Sequence, residues 1–363
     1  MHAAPDPREI VTALLPWFRR HRRAMPWRPE AGESADPYKV LVSELMLQQT
    51  RVETVLRHFG PFLERFPTTA ALAAAGEQEV LAAWAGLGYY RRARSLHAAA
   101  RAVVGRFGGR VPGTVEELLT LPGVGRYTAG AVASIAFGAA APILDGNVVR
   151  VLARLGAVED PVDEPATQRV LWARAQRLVD AAAERAAADP DAVRDFNQSL
   201  MELGALVCTP TSPGCLGCPL RERCRSAGTV LAERLPVKTP KKKPRRVEHG
   251  VLAVERGGRW LFEQRPAEGM WARMWQPPTR EGAQADAAWA QERYGLGVGP
   301  PEELGSFEHA TTHRLVTFRV RRAGVTGGRL RPGRGVWRRL DDRADLPMAK
   351  PVERTLAMLR SAG

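Results

Sequence analysis

Acidic residues are in short supply. The chain carries 39 Asp and Glu against 53 Lys and Arg, a formal net charge of +14. That imbalance favours a polyanionic partner, nucleic acid or an anionic membrane surface, through long-range attraction. On charge alone, a basic protein with no nucleic-acid role stays open. Lysine is scarce within the basic set, 6 residues against 47 Arg. A split that lopsided can follow codon usage, so no function is read into it. Long apolar runs are missing too. The uncharged stretch 127–144 has 18 residues, at the ~18-residue threshold for a membrane span. It is rich in Ala and Gly and has Pro142 near its end, so it reads as a buried helix plus a turn. The N-terminus holds Asp6, Arg8 and Glu9 and lacks the apolar core of an export signal. These absences point to a soluble, cytoplasmic protein with no membrane partner.

Cysteine is scarcer still. There are four, Cys208, Cys215, Cys218 and Cys224, spaced Cys-x6-Cys-x2-Cys-x5-Cys within 17 residues. Four thiolates in one short loop can wrap one metal centre. Disulfides are the plain alternative, but they suit secreted proteins. Tetrahedral zinc is another; its sites usually show two short Cys pairs, and here one pair is close. Four Cys ligands also suit an iron–sulfur cubane. The residues alone give a metal site, with zinc and iron–sulfur both open.

What is present is globular in character: 45% hydrophobic and 25% charged, which argues against wholesale disorder. At ~150 residues per domain the length allows two or three domains. Such a chain buries a core without disulfide staples. Apolar spacing predicts helices over 37–57, 77–85, 91–104, 115–119, 167–187 and 196–207, with Gly and Pro between them. Near residue 230 the texture changes. The stretch 236–246 (PVKTPKKKPRR) has six basic residues, three prolines and no acid, and reads as a linker, a solvated tether or an arm on phosphates. Beyond it, 250–262 shows two apolar runs around Gly257-Gly258, a hairpin signal. The segment 311–320 alternates like a strand, and helices are expected at 286–294 and 351–359. The C-terminal part is therefore a separate small α+β domain.

The stretch 121–138 (LPGVGRYTAGAVASIAFG) joins two helices through a tight turn. Gly123, Val124 and Gly125 allow close backbone approach, and the second helix begins with free N–H groups. A DNA phosphate is a natural occupant of such an anion site in a basic protein; an ordinary helical turn is the alternative. The whole stretch resembles the helix-hairpin-helix motif of DNA glycosylases. The segment 144–154 (LDGNVVRVLAR) looks like the one that carries that family's catalytic aspartate. The cysteine loop is similar to the 4Fe–4S loop of the endonuclease III superfamily, and this resemblance, not the spacing, selects iron–sulfur over zinc.

Within the superfamily, endonuclease III-like enzymes carry a nucleophilic lysine two residues after the second hairpin glycine. Tyr127 stands there in this chain, so the amine is missing. The MutY adenine DNA glycosylases lack that lysine, and the chain resembles them over nearly its full length. The similarity runs through Met25-Pro26-Trp27-Arg28, 43–50 (SELMLQQT), 86–90 (GLGYY) and the C-terminal domain related to the Nudix fold. The resemblance implies a mainly α helix-hairpin-helix glycosylase domain with an iron–sulfur loop over 1–228. A basic linker over 229–247 and an α+β Nudix-like domain over 248–363 would follow.

It also implies roles. Removing adenine breaks an N-glycosidic bond, which needs a proton donor for the base and an anion near the sugar. Glu44 lies among Val40, Leu41, Leu45 and Leu47, so burial would raise its pKa and keep a proton available. On pattern alone it could be a surface helix residue; the resemblance makes it the acid that protonates adenine N7 and activates water. Asp145 or Asn147 could simply cap a helix over 148–155, and the resemblance makes Asp145 the group that stabilises the oxocarbenium ion. Tyr127 would orient the sugar or Asp145, and Asn147 would position water or Glu44. Matching positions place Met25, Trp27, Arg28, Leu47 and Gln198 around an extruded adenine, with Gln49 and Tyr89 filling the stack near the opposite base.

The region 281–298 lacks the clustered Arg and Glu residues with which a Nudix hydrolase holds magnesium. The C-terminal domain is therefore expected to recognise 8-oxoguanine through 307–313 (FEHATTH). Relatives carry Phe-Ser-His at the tip, and this chain has Thr311-Thr312-His313. Losing the aromatic removes a stacking contact worth ~1 kcal/mol, while Thr312 and His313 keep hydrogen-bonding capacity. The expected partner is double-stranded DNA with adenine opposite 8-oxoguanine or guanine, bound by a monomer. A bifunctional glycosylase/lyase and a non-catalytic DNA-binding redox sensor are the competing readings; Tyr127 opposes the first, and the pair Glu44 and Asp145 opposes the second.

Overall fold

The computed structural model describes residues 5–30, 32–240, 244–311, 313–343 and 345–362. It divides into two units, Met1–Ala74 with Ser95–Pro240, and Ala75–Arg94 with Lys241–Gly363. In the first, Asp6 caps α1 (Pro7–His21) by accepting from the Arg8 N–H, and Asp36 does the same for α2 (Pro37–Leu47). Pro at the first helical position loses only a donor that would have no partner there. The single helix expected over 37–57 is in fact two. α2 stops at Leu47, Gln49 takes a left-handed φ of 57°, and α3 (Val52–Arg65) begins afterwards. Apolar spacing continues across the break, which hides it from a periodicity argument.

The helices α4 (Thr69–Ala74), α5 (Glu77–Ala83), α6 (Arg91–Phe107), α7 (Val115–Leu119), α8 (Arg126–Phe137), α9 (Gly146–Leu155), α10 (Pro165–Ala183), α11 (Ala192–Leu206) and α12 (Leu231–Arg234) follow, with α5 in the second unit. α8 forms the centre of the first unit. Its small residues from Thr128 to Ile135 are all buried, against α2, α7 and α11. A Cβ on Gly130 would lie 2.2 Å from the Pro142 carbonyl oxygen, so only glycine permits that approach. The long uncharged run is thus a buried helix, ended by left-handed Gly138. Among the described residues no helix is long and apolar enough to cross a membrane. The basic stretch is not a free tether at its start: Arg154 donates to the Leu235 carbonyl (2.9 Å), the Val162 N–H to that of Val237 (2.9 Å), and the Thr239 N–H to Asp163 (2.9 Å).

In the second unit β1 (Arg245–Arg256) and β2 (Arg259–Gln264) form the expected hairpin, with Gly257 and Gly258 at φ 57° and 73°. β3 (Trp275–Gln276), β4 (Thr279–Glu281), α13 (Ala287–Tyr294), β5 (Leu296–Val298), β6 (Glu302–Ala310), β7 (Arg314–Gly328), β8 (Val336–Arg338) and α14 (Lys350–Ser361) complete it. β1 runs parallel to β7 in the register Arg245↔Arg314 to Glu255↔Gly324, and β7 pairs antiparallel with β5 and β6. The strand expected over 311–320 therefore starts at Arg314, after the turn from β6. Alternation along β1 divides the core. Leu252 and Val254 pack with Ala290 and Tyr294 of α13, while Ala253 packs with Leu356 and Leu359 of α14. The unit also takes in Ala75–Arg94, which a reading along the sequence keeps with the N-terminal part.

Candidate active site

A cavity of about 740 Å3 opens in the first unit. The turn after α1 brings Met25, Trp27 and Arg28 to its wall; α2 brings Glu44 and Leu47, and the break beyond α2 brings Gln49. Gly123, Gly125 and Tyr127 come from the hairpin and α8, Asp145 and Asn147 from the start of α9, and Gln198 from α11. Of the thirteen expected catalytic and DNA-binding positions in the first unit, twelve line this cavity; Val124 is buried and does not.

Glu44 is 4% exposed. The Tyr127 hydroxyl donates to its Oε2 at 2.7 Å. Burial pushes the Glu44 carboxyl up to about 7; the Tyr127 bond and the Arg28 charge pull it down, and the Asp145 charge pushes it further up. Tyr127 is itself held well above the ordinary phenol range, by burial and by the charges of Glu44 and Asp145. Asp145 caps α9 as well as lining the cavity. Its Oδ1 accepts from the Val148 N–H at 2.7 Å, and its Oδ2 from Asn147 at 3.1 Å. Burial raises its pKa, against these donors and Arg150.

Four residues that sequence reading passed over shape the site: Arg23, Arg150, Glu202 and Gly204. Glu202 on α11 accepts both arms of Arg23 (2.8 and 2.9 Å), the Arg23 N–H (2.9 Å) and Arg28 (3.0 Å). Burial opposes its charge, but these bonds prevail and hold the carboxyl down to about 2. Arg28, expected at the base, is thus oriented by Glu202. Arg150 joins the cavity to the cysteine loop: it donates to Asn147 Oδ1 (2.8 Å), the Gly204 carbonyl (2.6 Å) and the Cys208 carbonyl (2.6 Å). Gly204 permits the fit, since a Cβ there would lie 2.6 Å from that of Asn147. The signal that could have found Glu202 is its place four residues after Gln198, on the same helix face.

Tyr89 and His313 belong to the second unit and do not line this cavity. Tyr89 has a left-handed φ of 50°. Thr311 closes the β6–β7 turn through two 3.0 Å bonds with the Arg314 backbone; Thr312 lies outside the described residues. His313 is exposed, and its carbonyl accepts from the Arg245 N–H.

Cys208, Cys215, Cys218 and Cys224 are free and half-buried. Burial, then the neighbouring thiols, pushes Cys218 up to about 11. Arg154 donates to Cys208 Sγ at 3.3 Å, and backbone N–H groups of Leu220, Ser226 and Ala227 turn toward Cys218 and Cys224. Among the described residues no three His, Cys, Asp or Glu are arranged to hold one metal ion. Four thiols close enough to feel one another and supplied with N–H donors fit the cubane's donor set.

Residues 42–177 match the model of the HhH-GPD superfamily base excision DNA repair proteins, and residues 250–358 that of the NUDIX domain. Fold and site together thus define a helix-hairpin-helix base excision repair protein with a Nudix-like second domain. A solved thermostable thymine-DNA glycosylase is 31% identical, with a TM-score of 0.52 over 61% of this chain and 96% of that one. The adenine DNA glycosylase of Homo sapiens is 36% identical over 380 residues, 88% of this chain and 68% of the relative. That of Arabidopsis thaliana is 36% identical over 378 residues, 89% of this chain, which spans 58% of the relative's length. The chain belongs to the adenine DNA glycosylase family.

Proposed function

We propose that the chain removes adenine mispaired with 8-oxoguanine or guanine from double-stranded DNA, acting as a monomer and leaving an abasic site with the strand uncut. The observation that carries this reading is the pair of buried carboxyls in one cavity: Glu44, raised to about 7, and Asp145, whose two oxygens are both held by donors. Environments that treat two carboxyls differently suit one to carry a proton and the other a charge.

The adenine leaves the helix and enters the cavity, among Met25, Trp27, Arg28, Leu47 and Gln198. Glu44 gives its proton to N7, so the base departs neutral. Asp145, ionised, stabilises the positive charge that develops on the sugar. The Glu44 carboxylate then takes a proton from the attacking water, with Asn147 holding that water, and is ready for another turnover. Tyr127 keeps the Glu44 carboxyl turned inward. As a phenol well above its ordinary range, Tyr127 offers no nucleophile, which supports hydrolysis over strand cleavage. Gln49 and Tyr89 fill the stack near the opposite base; left-handed backbone at both, φ 57° and 50°, is the kind of local strain that collects at functional positions. Gly123, Val124 and Gly125 meet a phosphate. The second unit reads 8-oxoguanine with Thr312 and His313, and Thr311 in place of the relatives' aromatic weakens that discrimination.

Cys208, Cys215, Cys218 and Cys224 would hold one 4Fe–4S cluster. Such a cluster would tie the loop together, and Arg221, Arg223 and Arg225 on that loop would meet DNA phosphates. The test of the acid is Glu44→Gln, with free adenine measured by chromatography under enzyme excess. Release should fall at least ~100-fold, the scale of general acid catalysis; undiminished release would remove Glu44 from the role.

A further inference from the structure

Tyr89 stands on a loop that is fastened to the C-terminal residues of its own unit. The residue is 49% exposed. Within the loop, Arg92 donates to the Leu87 and Gly88 carbonyls (3.3 and 3.2 Å) and lies over the Trp84 and Tyr89 rings (5.5 and 5.3 Å). Distant parts of the chain then hold both flanks. The buried Tyr90 hydroxyl donates to the Met348 carbonyl at 3.0 Å, just before α14. Arg94 donates to the Ala272 carbonyl at 2.8 Å. Trp275 Nε1 donates to Gln78 at 3.2 Å, and Arg273 faces Glu77 at 3.3 Å. The receiving loop is strained as well, with Trp271 and Arg273 at φ 50° and 60°. Left-handed residues on both partners persist only where surrounding bonds over-determine them.

We propose that the 271–276 loop and Met348 position Tyr89 for its contact with the base opposite the adenine, through Tyr90, Arg94 and Trp275. The inference rests on the reading above that the enzyme discriminates 8-oxoguanine from guanine. Thr311 stands where relatives carry an aromatic, so stacking at the opposite base falls more heavily on Tyr89, and a stacked ring works only if its orientation is held.

Tyr90→Phe removes the donor to Met348 and the partner of the Gly86 backbone, Trp275→Phe removes one donor, and both keep a ring. The double variant is compared with the unmodified enzyme, in the presence and absence of Tyr89→Ala, by Kd for duplexes with adenine opposite 8-oxoguanine or guanine and by the excision rate at saturating enzyme. The preference for 8-oxoguanine in Kd should fall about fivefold or more, with the saturated rate unchanged. In the Tyr89→Ala background the same changes should add nothing. An equal loss in that background, or a lowered melting temperature with the preference intact, would mean a merely structural role and overturn the inference. Should Tyr90→Phe fail to fold, Trp275→Phe carries the comparison by itself. An unmodified enzyme with no preference would overturn the functional reading itself, and the positioning role with it.

Discussion

The Tyr127 hydroxyl donates a 2.7 Å hydrogen bond to Glu44 Oε2 inside the cavity. This bond favours the charged form of Glu44 and lowers its pKa against the effect of burial. Tyr127→Phe should therefore raise the Glu44 pKa further. The high-pH limb of the excision profile should move upward, which single-turnover rates at several pH values will record. A downward shift would mean that Tyr127 acts on Glu44 in some other way.

The unmodified enzyme should itself show this limb. As the proposed acid, Glu44 acts in its protonated form, so the excision rate should fall as pH rises through about 7. As the proposed stabilising anion, Asp145 acts ionised, and burial raises its pKa, so a second fall should appear on the acid side, above the ordinary aspartate range. Glu44→Gln should abolish the upper limb along with most of the activity.

Arg150→Met tests the connection between cavity and cysteine loop. It would leave Asn147 Oδ1 and the Gly204 and Cys208 carbonyls without this donor. Each buried group left unsatisfied costs about 1–3 kcal/mol. Lower thermal stability and a rate loss of about tenfold or more are expected, since 1.4 kcal/mol on a barrier is a factor of ten. Melting curves and single-turnover rates measure the two effects separately.

Glu202→Ala should destabilise the fold by about 3 kcal/mol, the lower end for breaking a buried pair, because Arg23 keeps 35% of its side-chain exposure. Urea unfolding gives the number. Little change would indicate that Arg23 and Arg28 find water when Glu202 is gone.

Purified protein should contain iron and acid-labile sulfide in equal amounts and be brown. Cys215→Ser should lose both, because one of the four thiolate ligands is removed. Stoichiometric zinc without iron would contradict the cubane.

Some of this was legible from local chemistry. Val40, Leu41 and Leu45 around Glu44 foretold its burial, and Gly257-Gly258 between apolar runs foretold the hairpin. The capping position of Asp145 was legible as well, and the side chain that caps α9 is the one that faces the cavity. The break after Leu47 was not, since it depends on one backbone angle at Gln49 and leaves the apolar spacing intact. Nor was the Glu202 cluster, whose partners lie on the turn after α1, or the parallel β1–β7 pairing, which joins residues far apart in the chain. Contacts of Ala75–Arg94 with Ala272, Trp275 and Met348 are of the same long-range kind.

The central claim is hydrolysis of an adenine N-glycosidic bond without strand cleavage. A labelled duplex with adenine opposite 8-oxoguanine tests it, each reaction being split and half treated with hot alkali. Cleavage only after alkali is the expected result, since an abasic site is alkali-labile and Tyr127 provides no amine to open the sugar. Cleavage without alkali would require another nucleophile and contradict the account, as would an uncut strand in both halves.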